Sequence, residues 1–267
     1  MRVLVTGGAG YIGSHTVLAL VEGGHEPVIL DNFSNSSRLV LSRLEELSGR
    51  TIPLEEGDVR DVARLAEIMR RHELEAVIHF AAYKAVGESW EKPLDYFDNN
   101  ISGTIGLLRA MRQAGVRRLV FSSSCTVYGD ARNPPISEDA PLQVANPYGR
   151  TKLVMEQLIG DVCIAHEEFR AAILRYFNPV GAHPSGRIGE DPLGEPNNLM
   201  PYVTQVAVGR RESVRVFGND YPTRDGSGVR DYIHVVDLAS AHLAALDYLA
   251  REDRSITVNL GTGRGYS

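Results

Sequence analysis

Arg2-Val-Leu-Val-Thr6, running into Gly7-Gly8-Ala9-Gly10-Tyr11-Ile12-Gly13, is the stretch that decides the fold. A short aliphatic run gives way to glycines at Gly7, Gly10 and Gly13, then to an apolar-periodic helix that reaches Gly23-Gly24. Glycines so spaced let the backbone turn sharply after a strand, approach a pyrophosphate with no Cβ in the way, and open a helix whose first amides face the phosphates. A second strand, Val28-Ile29-Leu30, ends on Asp31. A carboxylate about 20 residues beyond the glycines accepts hydrogen bonds from ribose hydroxyls and repels a 2′-phosphate. The stretch points to a bound dinucleotide, NAD rather than NADP. The competing reading is a tight turn in an unrelated α/β protein, and the order strand, loop, helix, strand, acid weighs against it.

Beyond this unit, short β-branched runs alternate with helical patterns. The spacing predicts strands near 2–6, 27–31, 52–56, 76–80, 118–123 and 171–176, with helices near 11–23, 38–48, 61–72, 94–114 and 147–168. That alternation predicts an α/β fold, a Rossmann-type doubly wound parallel sheet covered on both faces. Ligands of such sheets bind outside the carboxyl ends of the strands, which makes Asp58, the run 80–84 and the serines Ser122, Ser123 and Ser124 candidates for contact. After Arg175 the chain turns rich in Pro, Gly and Asn. The expected division is a dinucleotide domain at 1–176, to which later sheet and helices contribute, and a smaller lobe at 177–267. Within that lobe the pattern suggests a helix at 199–208, a strand at 213–217, a helix at 235–249 and a strand at 257–260. The run Leu260-Gly-Thr-Gly-Arg-Gly-Tyr266-Ser267 reads as a strand, a glycine turn and a serine set as a helix N-cap, so the second lobe is expected to be incomplete.

At 267 residues, 43% hydrophobic and 23% charged, the chain has the composition of a globular protein with a sizeable core. A net charge of −6, with Arg117-Arg118 and Arg210-Arg211 as isolated pairs, argues against a nucleic-acid surface. No apolar run approaches the ~18 residues of a membrane span, and the first strand leaves no room for a signal peptide, so a cytoplasmic protein is expected. Cys125 and Cys163 form no close motif and the scattered histidines form no ligand set, so no metal site is expected.

Chemistry enters with Tyr148-Gly-Arg-Thr-Lys152. Four residues apart on a helix, the two side chains share a face, and an ammonium beside a phenol favours the phenolate. Tyr148 is then a candidate base, although any helix can place Tyr and Lys at this spacing.

With these residues the chain resembles the extended short-chain dehydrogenase/reductases, and within them the sugar-nucleotide epimerases. The motifs are Thr6-Gly-Gly-Ala-Gly-Tyr-Ile-Gly-Ser14, His79-Phe-Ala-Ala-Tyr-Lys84, Phe121-Ser-Ser-Ser124, Tyr148-Gly-Arg-Thr-Lys152, Leu174-Arg-Tyr-Phe-Asn178-Pro-Val-Gly and Gly228-Val-Arg-Asp-Tyr-Ile-His234. The resemblance implies interconversion of UDP-galactose and UDP-glucose through a 4-keto sugar, with NAD retained. It implies Tyr148 as the base at the 4-hydroxyl, Lys152 as its cation and Ser124 as a hydrogen-bond relay. Carried across by motif, NAD would meet the phosphate loop at Gly7, Gly10, Tyr11, Ile12 and Gly13. It would also meet Asp31, Asn32, Asn35, Asp58, Val59, Phe80, Ala81, Lys84, Asn99, Ser122, Tyr148, Lys152 and Phe177. The UDP-sugar would be held by Lys84, Ser124, Tyr148, Asn178, Asn198, Leu199, Phe217 and Arg230. From the residues alone, Arg230 could instead pair with Asp231 or Asp225, Asn178 and Asn198 could be turn residues, and Phe80 could be core. The family further implies a homodimer through helices 94–114 and 147–168, whose apolar residues include Leu107, Leu108, Met111, Val154, Leu158 and Ile159. It also implies about a fifth more chain, whose absence would expose apolar surface, weaken substrate binding and slow turnover.

Two other functions compete. A nucleotide-sugar dehydratase would need an acid pair after Ser124, where Cys125 and Thr126 stand; neither serves as that acid or base at neutral pH. The second is an NAD-binding paralogue with a sensing role, against which the intact Ser124, Tyr148 and Lys152 argue.

Overall fold

The computed structural model describes residues 1–130 and 134–267. Seven parallel strands form the main sheet: β1 (Arg2–Thr6), β2 (Glu26–Asp31), β3 (Leu54–Glu56), β4 (Ala76–His79), β5 (Arg118–Ser124), β6 (Arg170–Tyr176) and β9 (Ile256–Leu260). Their order is β3-β2-β1-β4-β5-β6-β9, so the direction of winding reverses between β1 and β4. The carboxyl edge at that reversal is where such sheets open a crevice for a ligand.

Alternation along each strand divides the core in two. Leu4, Val28, Leu30, Val77, Leu119 and Phe121 face α3 (Val62–Arg71), α6 (Gly103–Ala114) and α7 (Pro147–Ala165). Val3, Val5, Ile29, Ile78 and Val120 face α1 (Tyr11–Glu22), α2 (Leu39–Ser48) and α9 (Val235–Glu252). Both faces are covered, which is why strands such as Ala76–His79 are buried throughout and read as unbroken apolar runs.

The smaller lobe holds α8 (Leu199–Ala207) and a three-stranded sheet. Its central strand is β8 (Arg230–His234), flanked by parallel β7 (Asn178–Val180) and antiparallel β10 (Gly265–Tyr266). The strand expected at 213–217 is absent there. Val214 and Val216 alternate with polar residues, but no neighbouring strand takes up their backbone groups, and Val216 and Phe217 stand 79% and 95% exposed. Two elements assigned by sequence to this lobe belong to the main layer instead: β9 pairs with β6 and α9 packs on α1.

The expected helix 94–114 is three pieces. Pro93 opens α5 (Pro93–Phe97) just after α4 (Val86–Glu91), and a π-helical turn, Asp98–Ser102, separates α5 from α6. The turn buries Asn99 and Asn100.

His79 and His242 are fully buried as neutral rings. Thr104 Oγ1 donates to Asn100 O at 2.8 Å, so His79 Nε2 donates to Thr104 Oγ1 at 3.2 Å and His79 Nδ1 accepts from Thr6 Oγ1 at 2.7 Å. His242 Nδ1 donates to Leu238 O at 2.8 Å, leaving Nε2 to accept from Tyr176 OH at 3.1 Å. Burial pushes His79 down to about 3 and His242 to about 4. Because the folded values lie below the unfolded one, the unfolded chain takes up these protons first. The stability that the neutral rings contribute is complete above about pH 6.5 and is lost as the pH falls toward the folded values. Urea unfolding should show that loss between pH 6.5 and 4.5, and His242→Asn should reduce the protons taken up on unfolding by about one. An unchanged slope in the variant would refute the assignment.

Candidate active site

The carboxyl edge of the sheet gathers the residues singled out in sequence. After β1, Gly7 sits at φ +70°, where an added Cβ would lie 2.9 Å from Ala81 N; at Gly13 it would lie 2.2 Å from Gly7 O. The loop can close only without side chains at these points. Gly10 caps α1 with no side-chain bond to its amides, leaving donors of the kind that hold a phosphate. Beside them Asp31 accepts from Ala9 N at 3.0 Å, Phe33 N at 2.9 Å and Ser36 Oγ at 2.9 Å. These bonds fix the carboxylate at the end of β2. A glycine cradle with open amides and a fixed acid fits a dinucleotide.

Further along the edge, Asp58 accepts a fork of bonds from Arg60, which holds its carboxyl below the usual range, and meets Asn32 Nδ2 at 3.4 Å. Val59 is buried beneath Gly103 and Gly106. Phe80 packs its ring against His242, centroids 4.8 Å apart, and it and Ala81 are half-buried at the edge. Asn99 donates to Asn100 Oδ1 at 3.0 Å. Asn35 is exposed beyond β2.

Tyr148 and Lys152 arrive on α7, whose start is set by Asn146, accepting from Gly149 N, and by Pro147 at the first turn. The Tyr148 amide donates to Ser89 Oγ at 3.2 Å, and its ring packs with Ala85 and Tyr96. Ser124 lies close enough to the phenol to favour its ionised form. Lys152 Nζ donates to Ser122 O at 2.6 Å and lies 5.0 Å from the centre of the Phe121 ring. Burial dominates both groups: the phenol is pushed up to about 12 against the influence of Ser124, and the ammonium down to about 7 against the charge of Glu156. The lowering of the phenol expected from Lys152 is not found here: the ammonium turns to Ser122 O, and burial sets the direction of the Tyr148 shift.

From the smaller lobe, Asn178 Nδ2 donates to Asp231 O at 3.0 Å, and Phe177 lies beside Gly261. Asn198 Nδ2 and Lys84 Nζ both reach Glu190 Oε1, at 2.7 and 3.3 Å. Arg230 donates to Val229 O at 2.8 Å, while Asp231 accepts from Thr262 and Gly263 and Asp225 from Ser227. Neither acid is its ion-pair partner. Leu199 and Phe217 are exposed, and the structure does not bring Phe217 to the other site residues by any packed contact.

Two residues of this region escaped the sequence reading. Asn100, fully buried, accepts from Tyr83 N at 2.8 Å and donates to Tyr83 O at 3.0 Å and Thr151 Oγ1 at 2.9 Å. It ties the loop after β4 to α7. Glu156 sits one turn beyond Lys152; the spacing Tyr148, Lys152, Glu156 was a readable signal.

A glycine-cradled crevice at the switch of a parallel sheet, with a buried Tyr, Lys and Ser at its edge, defines a dinucleotide-dependent enzyme that works on a hydroxyl-bearing carbon. The chain belongs to the NAD dependent epimerase/dehydratase family, whose model matches residues 3–261. It is 58% identical to the UDP-glucose 4-epimerase of Mus musculus, spanning 100% of this chain and 79% of the mouse protein. To the UDP-glucose 4-epimerase of Bacillus subtilis it is 57% identical, over 100% and 79% of the two chains. The crystal structure of the Stenotrophomonas maltophila UDP-glucose 4-epimerase with bound NAD and formylated UDP-arabinopyranose superposes with a TM-score of 0.97 at 56% identity, covering 100% of this chain and 80% of that one. The Bifidobacterium longum enzyme in complex with NAD+ and UDP gives 0.96 at 49% identity, with the same coverage.

Proposed function

We propose that the chain interconverts UDP-galactose and UDP-glucose by transient oxidation at sugar C4 to a 4-keto intermediate. The observation behind this reading is the convergence of Ser124, Tyr148 and Lys152 beside the glycine loop, in a chain matched end to end by 4-epimerases. NAD held in this crevice would supply a reversible hydride acceptor for C4.

The chain's own groups do the rest. Gly7, Gly10, Tyr11, Ile12 and Gly13 hold the pyrophosphate on backbone amides, and Asp31 holds the adenosine ribose. Asn32, Asn35, Asp58, Val59, Phe80, Ala81, Lys84, Asn99, Ser122 and Phe177 would complete the NAD site. Tyr148 exchanges a proton with the 4-hydroxyl oxygen. Ser124 favours the phenolate against desolvation, and an ammonium at Lys152 with a cationic nicotinamide would act in the same direction. Arg230 offers a fork of donors to the diphosphate, and Asn178, Asn198, Leu199 and Phe217 hold the remainder of the UDP-sugar. Residues 1–176 with α9 and β9 form the NAD half, and 177–234 with β10 the UDP-sugar half. The free cysteines suit a reducing cytoplasm, and among the described residues no helix is long and apolar enough to cross a membrane.

The test is incubation with UDP-galactose, following the anomeric signals of UDP-glucose by NMR. Folded protein that carries NAD and yields no UDP-glucose would reject the epimerase in favour of an NAD-binding module.

A homodimer is part of the proposal, on changed grounds. Leu107, Leu108, Met111 and Ile159 are buried in the chain's own core and are not available to a partner. What α4, α5 and α7 expose is Trp90 at 63%, Leu94 at 82% and Ile164 at 80%. Sedimentation should give a dimer at micromolar concentration that Leu94→Glu dissociates at least about tenfold; a monomeric wild type would remove the claim.

A further inference from the structure

Ser123, Arg175 and Asn259 form a row across β5, β6 and β9, Ser123 opposite Arg175 and Arg175 opposite Asn259. Helix α7 lays Glu156 over that row. Its Oε1 accepts from Ser123 Oγ and, at 3.0 Å, from Arg175 Nε; its Oε2 accepts from Arg175 Nη2 at 2.7 Å. Arg175 Nη1 goes on to Tyr128 OH at 2.8 Å and Glu138 O at 3.1 Å, and Tyr128 OH donates to Asn259 Oδ1 at 2.7 Å. The side chains of Arg175 and Glu156 are 7% and 5% exposed. Apolar residues of similar volume often stabilise a fold as well as a buried ion pair does, so stability alone does not account for this one.

Its placement gives a better account. Tyr148, Lys152 and Glu156 follow at four-residue intervals and all three are buried on one face of α7. The groups that face Lys152 from other elements are neutral His79 on β4 and the Ser122 carbonyl and Phe121 ring on β5, while Arg175 on β6 pairs with Glu156. Glu156 is the one carboxylate of this set, and its charge opposes the loss of the Lys152 proton that burial promotes.

We infer that Glu156 is a positioning residue: clamped by Ser123 and Arg175, it registers α7 on the sheet and keeps Lys152 an ammonium ion beside Tyr148. Its kinetic consequence rests on the epimerase reading; its effect on Lys152 does not.

Lys84, Lys92 and Lys152 are the lysines of the chain, so titration of 13Cε-labelled lysine by NMR reads Lys152 directly, with Lys152→Met assigning the signal. In Glu156→Gln the Lys152 midpoint should fall by about one unit, about a tenfold loss of ammonium above it. With UDP-galactose, kcat should fall about tenfold at alkaline pH and recover as the pH is lowered, with KM changed less than about twofold. A folded Glu156→Gln variant with an unmoved midpoint overturns the inference. Should that variant not fold, Glu156→Leu with Arg175→Met replaces the pair by an apolar one and is read in the same way: a lowered midpoint supports the inference, an unmoved one overturns it. Absence of epimerisation in the wild type would sink the function reading and leave the titration result standing.

Discussion

Tyr148→Phe should lower kcat for UDP-galactose about 10³-fold, within the range that a positioned acid–base group contributes. The variant removes one oxygen and little else. The ring sits with Ala85 and Tyr96, the amide is held by Ser89 Oγ, and Lys152 takes its hydrogen bond to Ser122 O without help from the phenol. Folding, NAD content and KM should therefore stay close to wild type. The Ser124 hydroxyl, left without the phenol, keeps the bond it accepts from Thr126 N at 3.2 Å. Retention of kcat to within about threefold would mean that another group moves the proton, and Ser124 would be the next to replace.

The second large effect is expected at Gly13. A Cβ there meets Gly7 O at 2.2 Å and Gly8 Cα at 2.8 Å, both backbone atoms that cannot swing aside. Gly13→Val must push the phosphate loop away from α1, and NAD affinity should fall at least about 100-fold, a loss of about 2.7 kcal/mol. Gly160→Ala is the matched control, since an added Cβ at that helical site meets nothing within 4 Å. It should hold NAD normally and gain slightly in stability. Absorbance of bound NAD after gel filtration distinguishes the two, and full NAD occupancy in Gly13→Val would refute the cradle.

What could be read in the sequence was local. Glycines at 7, 10 and 13, the apolar helix after them and Asp31 lie within one strand-loop-helix-strand unit, where spacing alone fixes the geometry. Tyr148 and Lys152 were legible because a helix makes four residues a face. Pairing between distant segments was not legible. The alternating residues at 213–217 specify an extended chain, but a strand needs a partner, and none lies beside them among the described residues. The helix at 94–114 carried no mark of its π turn, because the extra residue changes the hydrogen bonding without disturbing composition. The apolar residues of α6 announced that they would be buried, though not that their own sheet would bury them. Arg175 and Glu156 are joined only because β6 lies beside β5 under α7.

The placement of β9 and α9 bears on how the molecule is made. On a ribosome, β1 through β6 and their helices emerge first, yet the outer side of β6 and the face of α1 that α9 covers remain open until residue 260 has been synthesised. Contacts so distant in sequence close slowly, and an unpaired strand edge invites pairing with the wrong chain. The half that grips the cofactor is thus finished by segments synthesised after most of the smaller lobe, and a nascent chain halted within that lobe would hold the glycine loop on an unfinished sheet.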